Sequence, residues 1–153
     1  MPRWQQLEQD ISRWLSTFAS QQVEYRNSYQ AIVGFPSDGF RSDGMVTNNS
    51  VLLAIEVEAG QTHPDTNTGK YWILYDKYKQ YRKILLFHIY TPNYDSYGWR
   101  KKLAEFYICK MRREVPIEYF LLDYRDAQDY DSVLTNIKGK IAEKIAQEFG
   151  VNP

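Results

Sequence analysis

Two carboxylates stand two residues apart at the end of an apolar run, Ile55-Glu56-Val57-Glu58, and an Asp-Gly pair, Asp43-Gly44, lies just upstream. The intervening chain reads Met45-Val46-Thr47, then Asn48-Asn49-Ser50, then Val51-Leu52-Leu53-Ala54. Two apolar runs around a short Asn/Ser turn spell a β-hairpin. If the chain folds back about the Asn49–Ser50 bond, Asp43 lies opposite Glu56. Glu58 shares the face of Glu56, because strand side chains alternate with period two. Three acids then converge at one end of the hairpin, a set of oxygen ligands suited to Mg²⁺ or Mn²⁺. The plain alternative is a solvated strand face for the glutamates and a turn role for Asp43. Asp38, in the neighbouring Ser37-Asp38-Gly39-Phe40, has the same chemistry as Asp43 and remains open as the ligand.

The elements that position these residues follow from periodicity. Trp4, Leu7, Ile11, Leu15 and Phe18 recur at helical spacing, which predicts an amphipathic helix over 3–19. Residues 23–29 read as a turn or short extended piece, and Ala31 to Phe35 as a strand closed by Pro36. The hairpin follows, then a polar loop from Gly60 to Gly69 and a helix over 70–81. Ile84 to Tyr90 and Ile117 to Asp123 are continuous apolar runs that read as buried strands. Between them Trp99, Leu103 and Phe106 mark a helix running to about Arg113. A last helix carries Val133, Ile137, Ile141, Ile145 and Phe149, with Asp131 or Ser132 as its cap. This order predicts an α/β domain with a mixed central β-sheet flanked by helices.

A chain of 153 residues without repeats or long linkers reads as one domain, 1–153. The two histidines and one cysteine show no zinc-ligand spacing. A single Cys109 and the lack of an N-terminal signal pattern lead us to expect a cytoplasmic protein. No apolar stretch has the length of a membrane span, so no membrane partner is expected. Charge is balanced, but it is clustered. Residues 70–83 hold five basic residues against one acid, interleaved with five aromatics. Arg100-Lys101-Lys102 with Lys110, Arg112 and Arg113 forms a second basic patch, and Asp123 to Asp131 an acidic counterweight. Such a pattern suits a nucleic-acid groove, and equally a solvated face over aromatic packing. With 13 Tyr, 7 Phe and 4 Trp, a surface that binds a polypeptide is a further alternative. His63 and Asp65 form a possible ligand pair, although a His in a Pro-containing loop is ordinarily exposed.

In element order, and in Asp43-Gly44 followed by Glu56-Val57-Glu58 and a helix opening at Lys70, the chain resembles the PD-(D/E)XK nuclease superfamily, the restriction-endonuclease-like fold. Ser42 stands where that motif often has Pro, and Glu58 where it has Lys, a Glu-x-Glu variant in which Lys70 is the natural migrated lysine. The resemblance implies a Mg²⁺-dependent endonuclease, DNA favoured over RNA, working alone or as a homodimer. It assigns Asp43, Glu56, Glu58 and the Val57 carbonyl to the metal and Lys70 to charge stabilisation. Glu58 is also a candidate general base. Gln61, Lys70, Lys77, Arg100 and Lys101 would contact nucleic acid, and Glu8 of the first helix would approach the site. The Glu58 replacement equally allows a catalytically inactive module of this fold that binds nucleic acid or a protein partner.

Overall fold

The structure is a computed structural model and describes residues 3–30, 40–60, 62–95 and 98–150. Helix α1 (Leu7–Leu15) is extended at both ends by 3₁₀ turns, Arg3–Gln6 and Ser16–Phe18. Three strands follow, β1 (Glu24–Asn27), β2 (Gly44–Thr47) and β3 (Val51–Glu58). Helix α2 (Pro64–Lys77), β4 (Lys83–Tyr90), α3 (Arg100–Met111), β5 (Ile117–Asp123) and α4 (Tyr130–Phe149) complete the chain. The sheet order is β1-β2-β3-β4-β5. The first three strands pair antiparallel, and β3, β4 and β5 pair parallel. The expected α/β class with a mixed sheet is therefore present, with helices on both faces.

Alternation along the strands builds two cores. Val46, Leu53, Ile55, Val57, Leu85, Phe87 and Ile89 point to the face covered by α1 and α4, where Leu7, Ile11, Ile137, Ile141 and Ile145 are fully buried. Met45, Leu52, Ala54, Ile84 and Leu86 point to the opposite face, against Tyr71 and Leu74 of α2 and Ile108 and Met111 of α3. Both parallel crossovers thus carry their helices on one face, as right-handed connections require when the strands advance in one direction. Strand β3 is buried at all eight positions.

Three elements differ from expectation. The first strand lies at Glu24–Asn27, where only a turn or short extended piece was expected. Its polar sequence Glu-Tyr-Arg-Asn lacks an apolar alternation because it is an edge strand, and charge there guards the open edge. The strand expected over 31–35 falls outside the described residues. Helix α2 begins at Pro64 and ends at Lys77, so the expected loop contributes its second half to the helix. Proline suits the first helical turn, where its missing N–H has no intrahelical use. Helix α4 is capped by Asp129, whose side chain accepts from the N–H groups of Asp131 and Ser132. Those two residues, expected as caps, instead supply the donors. Gly150, left-handed at φ 67°, closes that helix. Among the described residues no helix is long and apolar enough to cross a membrane.

Leu53, fully buried at the centre of β3, tests this core. Leu53→Ala is expected to destabilise the fold by about 2–5 kcal/mol, read from urea unfolding midpoints. A midpoint equal to that of the unaltered protein would contradict the packing described.

Candidate active site at the end of strand β3

The β2–β3 hairpin sets the geometry. Asn48 Oδ1 accepts from the N–H groups of Ser50 (3.1 Å) and Val51 (2.8 Å), and Asn49 takes the turn at φ 72°. The register pairs Gly44 with Ile55 and Thr47 with Leu52. Extended by one residue, it sets Asp43 opposite Glu56, as the sequence predicts. Asp43 is tied there twice: its N–H donates to the Ile55 carbonyl (3.1 Å), and its Oδ2 accepts from the Val57 N–H (2.6 Å). In an extended strand the N–H and C=O of one residue point to the same side, so the Val57 carbonyl faces the Asp43 edge as well. Gly44 is needed for close approach, since a Cβ there would lie 3.0 Å from Ser12 Oγ of α1. That approach brings Glu8 of α1 to Asp43. The two line one groove of about 320 Å³ together with Ser12, Arg13, Tyr25 and Tyr29.

Glu56 and Glu58 share a face, yet neither is solvated: they are 1% and 0% exposed. Glu56 is met by helix α2. Lys70 forms an ion pair with Glu56 Oε1, and the Tyr71 hydroxyl donates to the same oxygen at 2.9 Å. Both partners come from the second turn of α2, a placement that depends on the helix starting at Pro64. The Lys70 ammonium also donates to the Arg41 carbonyl (2.7 Å) and to Asn67 Oδ1 (3.4 Å). Glu58 turns elsewhere: its Oε1 accepts from Asn67 Nδ2 (2.8 Å) and bonds His88 Nε2 (2.7 Å). His88 Nδ1 in turn bonds the Tyr119 hydroxyl at 2.6 Å.

Burial governs the protonation of this cluster. It pushes the Glu56 carboxyl up to about 8, with Lys70 offsetting part of the shift and Asp43 adding to it. Asp43 is pushed up to about 6 by burial, against the lowering effect of the Val57 N–H and Lys70. Glu8 is raised to about 7 by burial and by the charge of Asp43. Burial also acts on Glu58, but its bonds to His88 and Asn67 outweigh it and hold that carboxyl below its ordinary value. Burial keeps the His88 ring down, hence neutral, in spite of Glu58. Since an ionised carboxylate only accepts, His88 Nε2 donates to Glu58 and Nδ1 accepts from Tyr119.

The predicted residues are therefore gathered unequally. Asp43, Glu56 and Lys70 come together, with Glu8 beside them, while Glu58 is held by His88 and Asn67. Among the described residues no group of three His, Cys, Asp or Glu side chains stands ready to hold a metal ion. Asp43, Glu56 and the Val57 carbonyl are the donors nearest such a role. Asp65 bonds Arg100 at 3.2 Å, and His63 is exposed at the start of α2. Lys101 pairs with Glu105 at 3.3 Å, and Lys77 is exposed. Gln61 and Asp38 lie outside the described residues. Sequence reasoning missed His88, Asn67 and Tyr71. A histidine inside the apolar run Ile84 to Tyr90 was the available signal, since a buried imidazole needs polar partners. Comparison of the chain with family models, curated proteins and solved structures returns no match.

The raised carboxyls carry a signed pH dependence. Glu56 binds its proton more tightly folded than unfolded, so its contribution to stability is complete below about 4.5 and is lost as pH rises through about 8. In metal-free buffer the stability of the unaltered protein, taken relative to Glu56→Gln, is expected to fall between about pH 5 and 8. Urea midpoints across that range measure it, and a flat or rising difference would contradict the burial assigned to Glu56.

Proposed function

We propose that this chain is a small nuclease of the restriction-endonuclease-like fold that hydrolyses phosphodiester bonds of nucleic acid, DNA in preference to RNA, with Mg²⁺ or Mn²⁺. The observation that carries the reading is the ion pair between Lys70 of α2 and Glu56 of β3, beside Asp43 at the head of β2. An acid from each hairpin strand and a lysine delivered from the next helix make up the chemical set that the Glu-x-Glu variant lacks on the strand alone. The order of elements and the mixed sheet support it further.

The donor set fits a divalent cation. Glu8, Asp43 and Glu56 are all pushed up by burial, and Asp43 charge adds to the other two, so the cluster is short of positive charge. Mg²⁺ is ordinarily held by one or two carboxylates, with waters and substrate phosphates completing the shell. Asp43, Glu56 and the Val57 carbonyl would supply that share, which needs no closed cage of protein ligands. A bound cation would supply a water of lowered pKa and charge to offset that of the phosphate. Lys70, paired with Glu56, would supply positive charge against the negative charge that builds up on the phosphate oxygens. Glu8, with a carboxyl near 7 and facing the open groove, is placed to take a proton at a carboxylate oxygen. The exposed Lys77 and Lys79 of the basic segment offer phosphate contacts outside the site.

A second reading is a module of the same fold that binds nucleic acid or a protein partner without cutting. The observation favouring it is Glu58, which occupies the motif-lysine position and is spent on His88. Supercoiled plasmid separates the two. Nicking and linearisation are expected with Mg²⁺ or Mn²⁺ and not with EDTA. Glu56→Ala abolishes them, and Lys70→Ala lowers kcat by about 10²–10³-fold. Salt-sensitive DNA binding without any cleavage selects the second reading, and undiminished cleavage by Glu56→Ala sinks the first.

A further inference from the structure

We propose that Glu58 is a positioning residue which, through Asn67 and backed by His88 and Tyr119, fixes the ammonium of Lys70 against Glu56. The inference rests on the nuclease reading for its purpose, but the contacts that define it do not. A continuous hydrogen-bonded chain crosses from β5 to α2. The Tyr119 hydroxyl meets His88 Nδ1 (2.6 Å), His88 Nε2 meets Glu58 Oε1 (2.7 Å), and Asn67 Nδ2 donates to that same oxygen (2.8 Å). Asn67 Oδ1 then accepts from Lys70 Nζ (3.4 Å).

The chemistry gives each link a direction. Asn67 Nδ2 and His88 Nε2 both meet the same oxygen of Glu58, which serves as the acceptor at each contact. This selects the Nδ2 edge of Asn67 and leaves its carbonyl oxygen turned towards Lys70. The Lys70 ammonium has three N–H bonds and three acceptors: Glu56 Oε1, the Arg41 carbonyl and Asn67 Oδ1. With all three occupied, the ammonium cannot swing freely on its four-carbon stem. A lysine on the strand itself would need no such support, because its backbone is fixed by the sheet. A lysine borrowed from a helix does need it, and a displaced catalytic group loses rate steeply. Glu58, standing where the strand lysine is missing, thus orients the lysine that replaces it.

The experiment is reductive methylation of the intact metal-free chain, with the rate at each lysine read by peptide mass mapping. Lys140, exposed on α4, is the internal reference. In the unaltered protein Lys70 is expected to react more slowly than Lys140. Asn67→Ala and Glu58→Ala should each raise the relative rate at Lys70 about fivefold, the scale of one net hydrogen bond. Glu58→Gln, which keeps an oxygen for Asn67, should restore most of the protection. If Glu58→Ala fails to fold, Asn67→Ala decides alone, since Asn67 is only partly buried. A relative rate at Lys70 unchanged in folded Asn67→Ala overturns the proposal. In plasmid cleavage, Asn67→Ala should lower kcat with KM unchanged and add nothing to Lys70→Ala, as expected of residues acting through one another; additive losses overturn it too. Should the unaltered chain cut no DNA, the nuclease reading fails while the methylation rates still decide the positioning role.

Discussion

Two carboxylates at the end of the most deeply buried strand are the constraint around which this molecule is arranged. Burial opposes the charged form of Glu56 and Glu58, and each is answered differently. Glu56 is given a cation, Lys70, and a hydroxyl, Tyr71. Glu58 is given two neutral donors, from Asn67 and His88. The outcome is opposite in sign: Glu56 is raised to about 8, and Glu58 is held below its ordinary value. A lysine offers one strong but partly solvated contact, 20% exposed here, whereas His88 is enclosed and hydrogen-bonded at both ring nitrogens. Desolvation and pairing compete at both sites, and the number and direction of bonds decide which wins.

Several features of the fold follow from that competition. Parallel pairing in register sets His88 of β4 opposite Glu56, close enough for a diagonal bond to Glu58. The early start of α2 at Pro64 brings Asn67, Lys70 and Tyr71 over the strand on successive turns. Had the helix begun at Lys70, Asn67 would sit in a loop and its link to Glu58 would depend on loop conformation. On the other side, Gly44 lets α1 lie against the hairpin, which places Glu8 beside Asp43. The acidic cluster is therefore reached from both layers of helices, the two glutamates from α2 and Asp43 from α1.

Much of the architecture was legible in the sequence because its signals are local. The hairpin register follows from Asn48, Asn49 and Ser50, whose turn chemistry leaves little choice, and β5 matches its apolar run at both ends. Strand β1 was not legible, since an edge strand of Glu, Tyr, Arg and Asn has no inward pattern to betray it. The start of α2 was hidden behind Pro64, Thr66 and Gly69, residues that read as a loop when neighbours are unknown. Gly69 is there for packing: a Cβ would meet the Tyr107 ring at 3.3 Å.

Sequence by itself determined the class of fold, the hairpin, the opposition of Asp43 to Glu56 and the shared face of the two glutamates. Each is a matter of alternation or of turn geometry within a few residues. Tertiary structure alone decided which groups answer those charges. Lys70, Tyr71 and Asn67 arrive from a crossover helix, and His88, backed by Tyr119, from the parallel strands. Such partners are set by strand register and helix packing over long sequence separations. The division of labour between Glu56 and Glu58, identical in type and two residues apart, is accordingly invisible until the chain is folded.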